Sequence, residues 1–264
     1  MRKYLKILLI IGLIITVVFG ALTFYEVKKM SEDHGVTKKK SKSFDEPIHG
    51  LDIDTISADV EIRKGDRFKV ETMLNDKVTK FSTKVEDKTL KVEEDSSFHV
   101  EFDIFGKTNR NKVIVTVPET ELEKLKLESD SGDVKIKGIR SKMSEIDVDS
   151  GRVTSEHNKL GNSLIHIDTG DFISKKTTYT RLDTYTNTGT IRIEDMTPDI
   201  YASAETDTGE IDITYDELPQ NTQFDARSGV GDVSFENDAL KDRRSGDGKY
   251  LFKLVADTGE IRIK

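Results

Sequence analysis

The 264-residue chain is 35% apolar and 34% charged and contains neither Cys nor Trp. These counts exclude a disulfide framework, thiolate catalysis, Cys-ligated zinc and a lipid-modified Cys, and the polar balance suits a thin, elongated body better than a thick globule. The formal charge of −8 is unevenly spread: residues 1 to 42 hold nine Lys or Arg against three acids, a net of +6, which leaves −14 on residues 43 to 264. So acidic a body opposes the counterion release that drives nucleic-acid binding, so no nucleic acid is expected as a partner.

From Ile7 to Tyr25 the chain runs 19 residues without a charge, preceded by Arg2, Lys3 and Lys6. That length spans a hydrocarbon core of ~30 Å, so residues 1–25 read as a short cytoplasmic tail and a single transmembrane helix. A cleaved signal peptide is the rival, since Val18 and Gly20 are tolerable before a cut, but the apolar run exceeds the usual signal core. Lys28, Lys29, Lys38, Lys39, Lys40 and Lys42 follow the segment and oppose an outward topology by the positive-inside count. The short N-terminal tail is nevertheless the usual geometry of a signal anchor, and long downstream domains translocate largely regardless of charge, so the body is expected outside the cytoplasm.

Residues 26–44 are polar, Lys-rich and nearly free of apolar periodicity, and read as a flexible stalk. The alternative use of the Lys38 to Lys42 run is contact with an anionic lipid or wall polymer. The remainder, 45–264, is organised by a repeat. Corners recur at Asp130-Ser131-Gly132, Asp149-Ser150-Gly151, Asp168-Thr169-Gly170, Asn187-Thr188-Gly189, Asp207-Thr208-Gly209 and Asp257-Thr258-Gly259, with glycine spacings of 19, 19, 19, 20 and 50 residues. A degenerate copy stands at Gly231, and an early one has Ala58 in the glycine position. Two positions after these corners come Val60, Val134, Val153, Phe172, Ile191, Ile211, Val233 and Ile261. Pairs such as Ile146 and Val148 precede several corners at the same period of two, the signature of half-buried strands.

Each copy therefore supplies a strand, a tight corner, a second strand and a return of about six or seven residues. A bend between two faces stacks the copies as a parallel β-solenoid (β-helix) of about 19–20-residue coils, whereas a two-residue hairpin gives an antiparallel meander. Periodicity admits both; matched positions across copies, together with the family resemblance given below, favour the solenoid. The region Arg67 to Val117 departs from the repeat and predicts an antiparallel section near the N-terminal end: Phe68 to Thr72, Thr83 to Val85 turning at Asp87-Lys88 into Leu90 to Val92, Val100 to Ile104, and Val113 to Val117. It is expected to cap one end against edge pairing.

The run Val115-Thr116-Val117-Pro118-Glu119, then Leu125-Lys126-Leu127, then Ser131-Gly132-Asp133-Val134-Lys135-Ile136, resembles the bacterial putative-adhesin family of β-strand repeats, a domain of unknown function. With the N-terminal anchor, the chain looks like the membrane-anchored LiaG-type proteins of cell-envelope stress operons. The resemblance covers roughly residues 45 to 264. It implies an extracytoplasmic β-solenoid with an envelope role, and it carries no catalytic residues with it.

Outward acids after the corners (Asp59, Asp133, Asp171, Glu210, Asp232, Glu260) would stack ~4.8 Å apart. They read as a charged, solubilising face in preference to a calcium ladder. The corner acids Asp130, Asp149 and Asp168 are expected to hydrogen-bond turning backbone amides. The extra length from Lys241 to Gly248 reads as a protruding loop and a binding candidate. His34, His49, His99, His157 and His166 show no ligand spacing. The reading is a membrane-anchored structural or interaction protein with no catalytic, cofactor or metal residues, no cofactor and no evident small-molecule substrate; an envelope protein or cell-wall polymer is the expected partner. The alternative is a polysaccharide-binding or polysaccharide-cleaving β-helix, which requires two acids beside aromatic walls.

Overall fold

The structure is a computed structural model and describes residues 38–74, 79–95 and 110–264. The expected anchor (1–25), residues 26–37 of the stalk and the expected strand Val100 to Ile104 lie outside the described residues. Among the described residues no helix is long and apolar enough to cross a membrane.

The described residues open with β1 (Lys38–Phe44), β2 (Gly50–Thr55), β3 (Asp59–Lys64) and β4 (Phe68–Leu74). The hairpin β5 (Lys80–Glu86) and β6 (Thr89–Asp95) and then β7 (Lys112–Val117) follow. Four coils of one plan come next: β8 (Glu121–Ser131) with β9 (Val134–Lys137), β10 (Arg140–Ser150) with β11 (Val153–Glu156), β12 (Lys159–Thr169) with β13 (Phe172–Lys175), and β14 (Thr178–Thr188) with β15 (Ile191–Glu194). Shorter coils finish the chain: β16 (Tyr201–Thr208) with β17 (Ile211–Ile213), β18 (Thr222–Val230) with β19 (Val233–Phe235), and β20 (Tyr250–Thr258) with β21 (Ile261–Ile263).

The described strands form two sheets. The first runs β1-β4-β7-β3-β9-β11-β13-β15-β17-β21-β19 and the second β18-β20-β16-β14-β12-β10-β8-β2-β6-β5. Coils stack in parallel with residue i beside residue i+19, as in Ile146↔Ile165 and Val153↔Phe172. The solenoid arrangement is thus the one adopted, and the meander is not. One continuous apolar cluster fills the interior, and the column Val153, Phe172, Ile191, Ile211, Ile261 is almost wholly excluded from water. Burying each such side chain contributes ~1.5–3 kcal/mol before chain entropy is counted.

The return after each second strand is itself strand. In β10 the buried positions are Ser141, Ser144, Ile146 and Val148, while Lys142 and Met143 both face out. The same break in alternation recurs in β8, β12 and β14, so each long strand bends instead of leaving the sheet.

Each corner glycine donates its amide to the next coil: Gly132 to the Ser150 carbonyl, Gly151 to Thr169, Gly170 to Thr188, Gly189 to Thr208, Gly209 to Thr258 and Gly259 to Val230. This line of bonds shows that the coils are out of sequence order at the C-terminal side. Coil β20–β21 sits between β16–β17 and β18–β19, and the degenerate copy at Gly231 lies outermost. The reason is burial. Ile261, Ile263 and Phe252 fill the interior completely, whereas Val233 and Phe235 remain half-exposed, so the poorer apolar set takes the end.

The other end is reordered too. β6 and β7 lie outside the β2–β3 coil and pair with it in parallel, while β5 pairs with β6 and β4 with β7 antiparallel. The antiparallel section does cap that end, but half of its strands also continue the parallel stack. β1 occupies the edge beyond β4. Residues 38–44, read from sequence as stalk, are therefore a strand; their Lys-rich, exposed pattern imitates a linker because only Phe44 is buried.

Two kinds of turn residue have positive φ, and they differ in tolerance. A Cβ on Gly170 (φ +145) would lie 1.8 Å from the Gly151 carbonyl oxygen. Gly138 (φ 71) stands where later coils carry His157 (φ 55), Lys176 (φ 48) and Asp195 (φ 61). Gly170→Ala is therefore expected to lose at least ~2 kcal/mol, through strain and backbone collision. Gly138→Asn should lose under ~1 kcal/mol. Urea unfolding midpoints of the two variants check this contrast.

Candidate interaction face

The outward positions of the two sheets differ in how charge is arranged. On the first sheet, acids of one coil pair with bases of the next at several positions: Arg152 pairs with Asp171 at 3.0 Å, Lys135 with Glu156 at 3.1 Å and Lys175 with Glu194 at 2.9 Å. Arg262 gathers Glu210, Asp212 and Glu260, with Arg192 also on Asp212 at 3.3 Å. Burial alone would raise the Asp212 carboxyl, but the hydrogen bonds from Arg262 and Arg192 outweigh it and hold the group below its ordinary value. Of the six outward acids of the expected charged face, Asp59, Asp171, Glu210 and Glu260 are held in ion pairs.

Three of those acids also serve the corners. Asp59 Oδ1 accepts the Asp133 amide at 3.0 Å, Asp133 Oδ1 accepts the Arg152 amide at 3.0 Å, and Asp171 Oδ1 accepts the Thr190 amide at 3.1 Å. The acid after the glycine, not the acid two positions before it, thus satisfies the turning backbone. Asp130, Asp149, Asp168, Asn187, Asp207 and Asp257 instead form an outward column on the second sheet, fixed by the in-register pairs on either side.

Beside that column lies a second: Glu128, Asp147, His166, Tyr185 and Glu205. His166 Nδ1 is 3.0 Å from Asp147, its Nε2 is 3.3 Å from Asp168, and its ring stacks on Tyr185 at 5.4 Å. The Tyr185 hydroxyl donates to Asp207 at 3.1 Å. Met143, Leu164, Tyr201 and Leu251 are exposed on the same face, and Tyr201 meets Tyr250 edge-on at 5.4 Å. Glu128 and Glu205 are paired with Lys126 and Lys253 at 2.7 and 2.9 Å, but the corner column meets no Lys or Arg among the described residues, and it lies beside exposed apolar and aromatic side chains, a combination typical of interaction surfaces. At its N-terminal side, partial burial and the neighbouring Glu128, Asp130, Asp52 and Glu93 raise the Asp54 carboxyl.

Among the described residues no three His, Asp or Glu converge on a metal-sized site. Two open clefts lie on this face among the described residues. One, of about 400 Å³, lies at the strand bend and is lined by Glu121, Lys142, Lys159, Asn162 and Thr178. The other, of about 250 Å³, places Asp52, Glu86 and Asp87 among Lys91, Lys124 and Lys126. Neither sets two acids against an exposed aromatic wall.

The segment from Lys241 to Gly248 does not protrude as a free loop. It follows a 3-10 turn, Asp238–Leu240, whose Leu240 is buried against the end of the core. The Arg243 carbonyl accepts the Phe224 amide at 2.9 Å, and the Ser245 amide donates to the Thr222 carbonyl at 2.8 Å. Arg243 also lies over the Phe235 ring at 5.6 Å. The insertion covers the exposed edge of β18, which needs protection because β18 ends its sheet. His49 and His157 are exposed, and His34 and His99 lie outside the described residues.

Two measurements probe these assignments. Asp133→Ala should lose ~1 kcal/mol of stability by stranding the Arg152 amide, whereas Asp149→Ala should be near neutral. Asp54→Asn should stabilise the protein at pH 7 by less than ~1 kcal/mol, given screening at this exposed site. A carboxyl whose folded pKa is raised carries its penalty when ionised, so that gain should fade as acidification towards pH 4 protonates Asp54 itself. Urea midpoints at both pH values decide.

Comparison with curated protein sequences found no match. Among solved structures, a putative adhesin from Parabacteroides distasonis ATCC 8503 is similar at 13% identity over 86% of this chain and 97% of its own, with a TM-score of 0.50. A putative adhesin from Bacteroides fragilis NCTC 9343 is 12% identical over 87% and 98%, with a TM-score of 0.41. A putative lipid binding protein from Parabacteroides distasonis ATCC 8503 is 14% identical over 86% and 97%, with a TM-score of 0.43. The model of the toastrack DUF4097 family matches residues 48–248, and the chain belongs to that family.

Proposed function

We propose that this protein is a membrane-anchored, extracytoplasmic interaction module of the cell envelope, of LiaG type, acting in envelope stress or surface binding through the outer face of its second sheet. The observation that carries the reading is the contrast between the two faces. The first pairs acids of one coil with bases of the next; the second carries, among its ion pairs, the corner column Asp130, Asp149, Asp168, Asp207 and Asp257, which meets no Lys or Arg among the described residues, beside Met143, Leu164 and Tyr201. The 19-residue apolar run from Ile7 to Tyr25 supports the anchor. An adhesin-like role, the description carried by the Parabacteroides fold relative, is consistent with such a face. Binding of an envelope polysaccharide is the second reading, favoured by the exposed Tyr201 ring held edge-on against Tyr250, since aromatic rings stack on sugar faces.

Location and face are tested together. The chain has no native Cys, and Asp242 is exposed on the end segment, so Asp242→Cys reports topology. Intact cells are expected to label with a membrane-impermeant thiol reagent; labelling only after lysis overturns the outward orientation. A photo-cross-linker at Leu164 should capture a partner in cells, while one at Thr154 on the opposite sheet should not. Equal capture from both positions would remove the face assignment.

A further inference from the structure

The Lys-rich run ahead of the repeat is ordered, and its position gives it a use. β1 holds Lys38, Lys39, Lys40 and Lys42 within seven residues, and its first six residues are exposed. It is the terminal strand of the first sheet; β5, terminal in the second sheet at the same end, adds Lys80 and Lys84. The two edges touch, since Lys42 Nζ donates to the Thr83 carbonyl at 2.9 Å. Lys84 is held by Glu86 and Glu93, but Lys38, Lys39, Lys40 and Lys80 pair with no acid among the described residues. A cationic edge thus closes one end of a body whose net charge is strongly negative.

We infer that the β1 edge is a docking surface for an anionic phospholipid membrane, holding the β1 end of the stack against the bilayer. Charge complementarity is the first argument: each Lys close to an anionic leaflet adds roughly fivefold to association, within about a Debye length of the surface. Chain length is the second. The apolar run ends at Tyr25 and β1 starts at Lys38, so 12 residues separate them. Fully extended, 12 residues reach at most ~40 Å. The inference rests on the membrane-anchor reading proposed above, and it adds a second point of attachment. Two weak attachments to one surface reinforce each other, because the tether raises the effective concentration of the strand at the headgroups. The acids outside β1 also favour this pose, since repulsion from an anionic surface turns the acidic columns away from it.

The test uses the full chain carrying Ser41→Cys, labelled with a nitroxide, in vesicles of phosphatidylcholine alone or with phosphatidylglycerol added. Collision of the nitroxide with an aqueous nickel chelate is expected to fall severalfold on the anionic vesicles. High salt should restore it. Replacing Lys38, Lys39, Lys40 and Lys42 by Gln should abolish the effect, and replacing them by Arg should keep it. A nitroxide at Asp242→Cys, beside the opposite end of the stack, should respond to neither lipid. Equal accessibility of the Ser41 site on both vesicles overturns the inference, as does protection that survives the Gln replacements. Protection on neutral vesicles brought by a soluble polyanion, with none from anionic lipid, also overturns it and assigns the edge to a polymer. Retention of the chain by neutral vesicles after an alkaline wash reports the anchor separately. If that retention fails, co-flotation of the chain with anionic vesicles only, lost on Lys→Gln, still decides for the strand.

Discussion

The structure depends on how closely one coil approaches the next at the glycine corner. Gly132, Gly151, Gly170, Gly189, Gly209 and Gly259 each send an amide into the adjacent coil, and a side chain at Gly170 would collide with the carbonyl below it. Once the corners are in contact, a 19-residue chain path fixes every other residue above its counterpart. Apolar residues then pile on apolar residues, and the interior becomes one cluster instead of eight small ones. A coil in isolation has no such interior, so its stability is a property of its neighbours.

Register has an electrostatic cost as well. Stacking identical positions ~4.8 Å apart sets like charge beside like charge. The first sheet relieves this in part by drift in sequence: where one coil has Asp171, its neighbour has Arg152, and Arg192 and Arg262 flank Asp212. The second sheet does the same with Lys124–Glu145, Lys142–Glu123 and Lys253–Glu205, but not in its corner column, which from Asp130 to Asp257 is interrupted only by Asn187. A five-acid column without Lys or Arg partners among the described residues is what distinguishes the second face.

The parts of this architecture visible in the sequence are those set by local chemistry. Glycine before an apolar residue at matched offsets, as in Gly151 and Val153, is needed wherever the corner folds, and so it repeats. The hairpin at Asp87-Lys88 was likewise legible, since both residues take φ near +50 to +60. Parallel stacking was only half visible, because positions three before and two after the glycine face the same way in a hairpin too. Burial chose the coil order, and that left no local mark. Gly231 follows Gly209 by 22 residues, close to the repeat, yet Gly259 sits on Gly209 because its coil fills both interfaces. Nor does turn chemistry reveal which acid serves the corner: Asp149 precedes the glycine in the usual place, while the Arg152 amide is taken by Asp133 of the adjacent coil. The edge strand Lys38–Phe44 was hidden because an exposed lysine strand and a solvated linker share one composition.

Reordering is confined to the two ends, and from β8 to β17 the coils follow one another strictly. A 19-residue duplication inserted there would meet the same corner above and below, and would leave both terminal assemblies intact. A duplication next to β18 or β6 would instead break a crossing connection. The domain can therefore vary in length during descent by whole coils from its middle, each moving the β1 edge and the Arg243 cap apart by ~4.8 Å. Growth of this kind makes the spacing between the two ends a heritable quantity, adjustable in single-coil steps without redesign of either end.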